Sequence, residues 1–178
     1  GATGWSDNTT TAGGSIFTSY LGRHSQEAGA QNTYKNYAVS GTQDYLTVSF
    51  DVYEIDSWDG ESFRIFVDDN QIFSTNFVSG SINTPANGSS GAVSWIIQKT
   101  VGVNGNLGAS SSFTDQMYHF ELKIDSTAAS VKLGFSSTLD QAVADEAWGV
   151  DNVKLYEVKD GGTPGPFNVS EISPNTTV

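Results

Sequence analysis

Apolar and polar residues alternate along much of this chain, and no segment sustains the 3.6-residue period of a helix. In the clearest run, Leu46, Val48, Phe50 and Val52 fall on one face. Because successive side chains of a strand point to opposite faces of its sheet, such a run predicts a half-buried strand. Further runs lie at 63–67, 71–77, 118–124, 131–135 and 148–158, and weaker ones at 15–21, 33–39 and 93–101. About nine strands at this spacing predict an all-β fold, a jelly-roll-like antiparallel β-sandwich with long loops at one end.

The segments between these runs are polar and rich in glycine. Asp68, Asp69 and Asn70 separate two runs and predict a tight hairpin. Long polar stretches at 79–91 and 102–112 predict loops, and the loops at the end of a sandwich commonly carry its binding site. After residue 158 the composition changes to the Gly/Pro character of a linker. We therefore expect one ligand-binding sandwich at 1–158 and a linker or C-terminal tail at 159–178.

The chain has no cysteine, and its twenty acidic residues outnumber its eight Lys and Arg residues, which gives a net charge of −12. Disulfides therefore cannot stabilise the fold, and apolar burial, hydrogen bonds or bound metal must do so. The charge opposes binding to a phosphate backbone, so nucleic acid is not expected as a partner. No apolar run approaches the ~20 residues that cross a bilayer, so membrane insertion is not expected. An acidic composition poor in Lys and Arg is also common in secreted bacterial surface proteins, where calcium is available, although it can serve solubility alone.

The densest group of charges is Asp56, Asp59 and Glu61, on a glycine-containing turn between two predicted strands. Carboxylates this close together repel one another, so a chain with nothing to bind would gain by dispersing them. Carboxylate oxygens on a flexible turn are the ligands that calcium uses. The turn is predicted to bind Ca2+; the alternative is a solvated acidic hairpin.

A second polar group consists of Asp145, Asp151 and Asn152. The apolar residues before position 151 and after position 152 have opposite parity, which predicts a β-bulge between them. Bulges often redirect side chains at functional sites, so Asp151 and Asn152 are predicted to offer oxygens to a metal at the rim. The alternative is that they only cap a strand turn.

The same parity places Glu54 and Asp56 on the core side of their strand. Unpaired buried carboxylates are costly, so either the core ends at Val52 or these acids have a cation or a base as partner. Arg64 on the following predicted strand is the available base for Glu54.

Glu54 and Asp56 are also spaced like the paired acids of a retaining β-glucanase. That motif requires a third acid, a glutamate, and here its two permitted positions hold Trp58 and Asp59. The chain has no cysteine nucleophile, and its two histidines lack metal-ligand spacing. We therefore expect no enzymatic activity and no catalytic residues, with a small β-glucan hydrolase as the alternative.

Three residues are candidates for contact with a ligand. Trp58 lies on the acidic turn and is predicted to be exposed there. Arg23 could orient an anionic group of the ligand, and Asp151 would face the same rim.

The segments FDVY at 50–53, DSWDGESF at 56–63 and EAWGVDNV at 146–153 resemble the ligand-binding, or peptide-binding, domain of large bacterial repeats-in-toxin adhesins. The resemblance covers about residues 5–158. It implies a sandwich carrying several calcium ions, one of which binds the carboxylate of a protein C-terminus on another cell. It also implies a monomeric module within a longer chain at the bacterial cell surface. The acids that correspond to the family's motifs are Asp56, Asp59 and Glu61, with Asp151 and Asn152. A calcium-dependent lectin that binds glycans, and a spacer stiffened by calcium, are alternatives.

Overall fold

A computed structural model of the chain describes residues 2–12, 19–25, 33–78, 81–82, 86–100, 113 and 115–159. These residues form twelve strands and no helix, and so contain no helix that could cross a membrane. The strands are β1 (Thr10–Thr11), β2 (Tyr20–His24), β3 (Thr33–Ala38), β4 (Tyr45–Asp56), β5 (Asp59–Val67), β6 (Asn70–Val78), β7 (Ser81–Ile82), β8 (Asn87–Ser90), β9 (Val93–Thr100), β10 (Gln116–Ile124), β11 (Ser130–Ser137) and β12 (Glu146–Val158).

The strands form two antiparallel sheets that pack face to face. One has seven strands in the order β1-β2-β12-β4-β10-β9-β8, and the other has five in the order β3-β11-β5-β6-β7. Among these strands the chain changes sheet six times, after β2, β3, β4, β7, β10 and β11. The predicted all-β antiparallel sandwich is confirmed.

Aromatic side chains fill the space between the two sheets. Phe50 stacks on Phe120 across β4 and β10, with ring centroids 5.2 Å apart. Phe63 on the opposite sheet meets the edge of Trp148 at 5.3 Å. Pairs of this kind contribute roughly 0.5–1.5 kcal/mol each beyond their buried area. A core of this type stabilises a domain that has no disulfide.

Several local predictions can be compared with the strands. The tight hairpin is confirmed: Val67 pairs with Asn70, and Asp68 and Asp69 have φ values of 49° and 64°, as in a two-residue turn of the I′ type. Residues 79–91 were expected to be one loop, but 87–90 form the edge strand β8 against β9. The sequence does not predict β8, because its side chains are exposed or half-buried and show no apolar alternation. Its pairing depends on backbone hydrogen bonds instead. The predicted loop at 102–112, residues 15–18 of the first weak strand and the tail at 160–178 lie outside the described residues.

Candidate metal centre

The acidic turn at 56–61 lies at a corner of the sandwich. β4 ends at Asp56 in the seven-stranded sheet, and β5 begins at Asp59 in the five-stranded sheet. Asp56 adopts a left-handed backbone conformation with a φ of 64°, which Asp tolerates better than most residues. Gly60 has a φ of 136°, which residues with a side chain rarely adopt. The turn is thus a crossing between sheets, and it brings its acids to one end of the core.

The loop at 138–145, between β11 and β12, runs along the same corner. At its start, the amide of Ser62 donates to Thr138 Oγ1 at 2.8 Å, and the amide of Thr138 donates back to the Ser62 carbonyl at 2.9 Å. At its end, Ser57 Oγ donates to the Asp145 carbonyl oxygen at 3.0 Å. Arg23 donates from Nη2 to the carbonyl of Val143. The loop is therefore attached to β5 at its start and to the turn at its end, and we call residues 56–61 and 138–146 together the acidic corner.

Three carboxyl groups converge at the acidic corner. Glu61, Asp140 and Glu146 each place one carboxylate oxygen within 4.8 Å of the others, and the set could hold a metal ion. Glu146 is 0% exposed. Its Oε1 accepts hydrogen bonds from the amides of Asp140 and Gln141, at 3.1 and 3.0 Å. Its Oε2 is buried and has no hydrogen-bond partner among the described residues, which is costly unless a cation or a proton satisfies it.

The electrostatics of the acidic corner favour a positive ion. Burial raises the pKa of Glu146, and the nearby carboxylates of Glu61 and Asp140 add to this effect. The pKa of the exposed Asp59 is raised by a hydrogen bond to Glu61 and by repulsion from it. Burial by itself would raise the pKa of Glu61, but hydrogen bonds from the Asp59 side chain and from the backbone amides at 59–61 bring it below its usual value. The main influences on these carboxyls include no basic side chain of a described residue, so a proton or a bound cation is what can neutralise the negative charge.

The structure brings one of the predicted metal ligands of this corner into the group of three and leaves the others outside it. Asp59, Glu61 and Asp145 lie at the acidic corner, and Glu61 belongs to the group of three. Asp56 also belongs to the corner but lies outside the group of three; it is only 4% exposed, and its amide donates to the side chain of Asp115 at 2.9 Å.

Two members of the group were not among the predicted ligands. Glu146 shares the parity of Trp148 and Val150, and this parity could have identified it as a buried carboxylate. Asp140 lies in a loop without periodicity, so no signal in the sequence marks it.

Asp151 and Asn152 lie elsewhere on β12. The register of β12 against β4 shifts between Asp151 and Lys154, which confirms the predicted bulge. Asp151 pairs with Asp51, whereas Glu146 pairs with Asp56. Five residues of strand therefore separate Asp151 from the acidic corner, or about 17 Å at ~3.3 Å per residue. These two residues do not share an ion with Glu61, and their metal binding stays a separate prediction.

The two other predicted ligand contacts have structural roles. The prediction that Trp58 is exposed is wrong: it is 1% exposed, its Nε1 donates to the Ala147 carbonyl at 2.8 Å, and its ring meets the edge of Phe77. Trp58 points inward because the corner must be closed over the end of the aromatic core. Arg23 is half-buried and holds the loop at Val143.

The buried acids of β4 have a different explanation from the one expected. The strand remains buried from Val52 to Asp56, so the core does not end at Val52. Glu54 is 1% exposed and accepts a hydrogen bond from Tyr118 Oη at 3.1 Å. Arg64 lies between the buried residues Phe63 and Ile65, and so faces away from the core and from Glu54.

No family model matches the chain, and no curated protein or solved structure is significantly similar to it.

Proposed function

We propose that this domain is a calcium-dependent recognition module that binds Ca2+ at the acidic corner through Glu61, Asp140 and Glu146. The ion would hold the carboxylate of a partner protein's C-terminal segment, and the module would act in adhesion at the bacterial cell surface. The observation that carries the proposal is the buried Oε2 of Glu146, which has no hydrogen-bond partner among the described residues.

The donor set favours calcium over the other common metals. All three groups are carboxylates, the ligands of hard cations, and the group contains no histidine or cysteine of the kind that selects zinc. Calcium takes six to eight oxygens at ~2.3–2.6 Å and tolerates irregular geometry, which suits ligands drawn from a turn, a loop and a strand. The carboxylate of Asp59, which lies close to Glu61, is a further oxygen donor.

A ligand can reach an ion bound at this corner. Asp140 is exposed and Glu61 is half-buried, so the side of the group opposite Glu146 opens to solvent. Three carboxylates do not fill a calcium shell, and the open positions can take oxygens of water or of a ligand. In a protein with a net charge of −12, a bound cation is also what would let an anionic chain terminus approach.

The buried position of Glu54 and Asp56 argues against the hydrolase alternative. Retaining glycosidases place two carboxyls in a cleft that admits the sugar. Here the two side chains are 1% and 4% exposed. Glu54 is also engaged by Tyr118, so neither acid meets a glycan without a rearrangement of the core.

Calcium titration by isothermal calorimetry tests the metal site. Glu146→Gln and Asp140→Asn should each lower the calcium affinity by about tenfold or more, because each removes a charged ligand. Asp125→Asn is the control: this exposed acid pairs with Lys123 away from the corner, and its loss should leave the affinity unchanged. Equal affinity in all four proteins would contradict the site.

A pair of peptides tests the recognition step. A peptide with a free C-terminal carboxylate should bind in calcium and lose binding in chelator, and its amidated twin should bind in neither. Binding of monosaccharides in place of the peptide would indicate a lectin, and release of reducing ends from β-glucan would indicate a hydrolase.

A further inference from the structure

The seven-stranded sheet contains a cleft between β2 and β12. The two strands pair from Trp148 to Val150, where Val150 lies opposite Leu21. Beyond this point the bulge between Asp151 and Lys154 displaces β12. A cleft of about 220 Å³ opens there, and Trp5, Tyr20, Leu21 and Asp151 contribute to its walls.

The cleft is apolar on one side and anionic on the other. Trp5 and Leu21 belong to the hydrophobic core and form the apolar wall. Asp151 supplies a carboxylate, and no Lys, Arg or His is among the described residues that line the cleft. Hydroxyl-bearing residues Thr10 and Ser19 complete the rim.

The neighbours of Asp151 act on its carboxyl in both directions. Burial raises the pKa of this group and the charge of Asp51 adds to the effect, whereas hydrogen bonds from the Asn152 backbone and the Tyr53 side chain lower it. Asp51 itself is held by other donors: Asn152 Nδ2 donates to its Oδ2 at 2.7 Å, and His119 Nδ1 lies 2.7 Å from its Oδ1. Asn152 reaches Asp51 because its φ of 54° turns the bulge toward β4. Asp151 is the acid that lines the cleft.

We infer that this cleft binds a primary ammonium group carried on a short apolar stem, with the Asp151 carboxylate as its counter-ion. A partly buried carboxylate in a concave, low-dielectric site attracts a cation strongly. The volume is below the ~300 Å³ of a typical small-molecule pocket and suits a single side chain or chain end. A lysine side chain and a protein N-terminus both carry this chemistry.

The inference is independent of the calcium proposal. Asp151 is about 17 Å along β12 from Glu146, and none of the carboxylates at the acidic corner lines the cleft. Ammonium binding is therefore expected to persist in chelator, where the proposed calcium site is empty. Loss of calcium binding and loss of amine binding are separate results.

The test is a titration of the full chain with n-butylammonium in chelator, followed by the shifts of backbone amide resonances. We expect shifts in β2 and at the bulge of β12, at least about tenfold weaker binding of the isosteric alcohol n-butanol, and at least about tenfold weaker binding by Asp151→Asn. Asp145→Asn, an acid of the other site, should bind the amine like the wild type. The isosteric Asn variant is expected to fold, because burial already favours the neutral form of this carboxyl; a melting curve checks it.

Further measurements separate the ammonium sources and the opposing outcomes. Nα-acetyl-lysine amide carries only a side-chain ammonium and alanine amide only an α-ammonium, so the stronger binder identifies the source. Any one of three results would overturn the inference. The first is equal binding of n-butanol, and the second is undiminished amine binding by Asp151→Asn. The third is displacement of the amine by calcium in the wild type and not in Asp151→Asn.

Discussion

The carboxyl of Glu146 links the stability of this domain to pH in a direction opposite to that of most surface acids. Burial raises its pKa in the folded state above the usual 4.5. The folded protein therefore holds this proton more tightly than the unfolded chain, and its stability falls as the pH rises through the window above 4.5. In chelator, we expect the urea midpoint to rise when the pH is lowered from about 7 to about 5.

Comparison with Glu146→Gln isolates this residue. The Gln variant cannot ionise, so its urea midpoint in chelator should depend less on pH and should exceed that of the wild type at neutral pH. Burial also raises the pKa of Asp151, so this residue likewise makes the stability fall as the pH rises. Its contribution remains in the Glu146→Gln variant. An unchanged pH dependence in Glu146→Gln would show that the unpartnered oxygen does not control the apo protein.

Trp58 and Trp95 form a matched pair for testing how the corner is closed. The indole nitrogen of Trp58 donates to the carbonyl of Ala147, whereas the buried indole nitrogen of Trp95 has no hydrogen-bond partner among the described residues. Trp58→Phe should destabilise the domain by about 1–3 kcal/mol in urea unfolding, because it leaves a buried carbonyl unsatisfied. Trp95→Phe should cost less, and a larger effect at Trp95 would contradict the role assigned to Trp58.

An individual site residue can be identified from the sequence when the residues that it interacts with lie close to it in the chain. Asp59 and Glu61 are found because repulsion between acids a few positions apart is visible in the chain. Asp140 cannot be found this way, since it reaches the group only when the loop at 138–145 folds against the corner. The sequence misplaces Trp58 because a turn position is usually exposed, whereas here the turn closes the end of the core.

At the scale of elements, the loop at 138–145 depends on the acidic corner for its position. The amides of Asp140 and Gln141 donate to Glu146, whose other oxygen has no partner among the described residues. An ion bound to Asp140, Glu146 and Glu61 would join the loop to β12 and β5, so calcium should lower its rate of local opening. Hydrogen exchange should show the amides of 138–145 better protected in calcium than in chelator.

The turn at Asp68 and Asp69, between β5 and β6, is the internal control for that measurement. Lys132 holds this turn away from the corner, so the exchange of its amides should not respond to calcium. In Glu146→Gln the loop should exchange at the chelator rate even with calcium present. Equal protection of the loop in both conditions would contradict an ion at this site.

Elements with regular side-chain alternation are predictable, and those defined by backbone pairing are not. β4 and β10 carry their apolar faces in the sequence, and the parity change along β12 is enough to indicate its bulge. Alternation does not predict β8, because backbone hydrogen bonds to one neighbouring strand are enough to hold an exposed edge strand. The crossing from β4 to β5 is visible as a turn, but alternation does not specify which sheet a strand joins.

For the whole molecule, the sandwich follows from the alternation, and the net charge of −12 sets the conditions in which it is most stable. No disulfide restricts the conformational freedom of the unfolded chain. Repulsion among the acids therefore lowers the stability of the compact fold without that compensation. Sodium chloride should therefore raise the melting temperature in chelator, because it screens repulsion between exposed charges.

Calcium should stabilise the domain beyond this screening. At matched ionic strength, an ion that binds only the folded state adds RT ln(1 + [Ca]/Kd), or about 2.7 kcal/mol at one hundred times Kd. The melting temperature should thus be higher in calcium chloride than in sodium chloride of equal ionic strength. Glu146→Gln should keep the response to sodium chloride and lose this excess, because it retains most of the negative surface but lacks the buried ligand. If calcium and sodium salts gave the same melting curves for the wild type, the acids of the corner would serve only as surface charge.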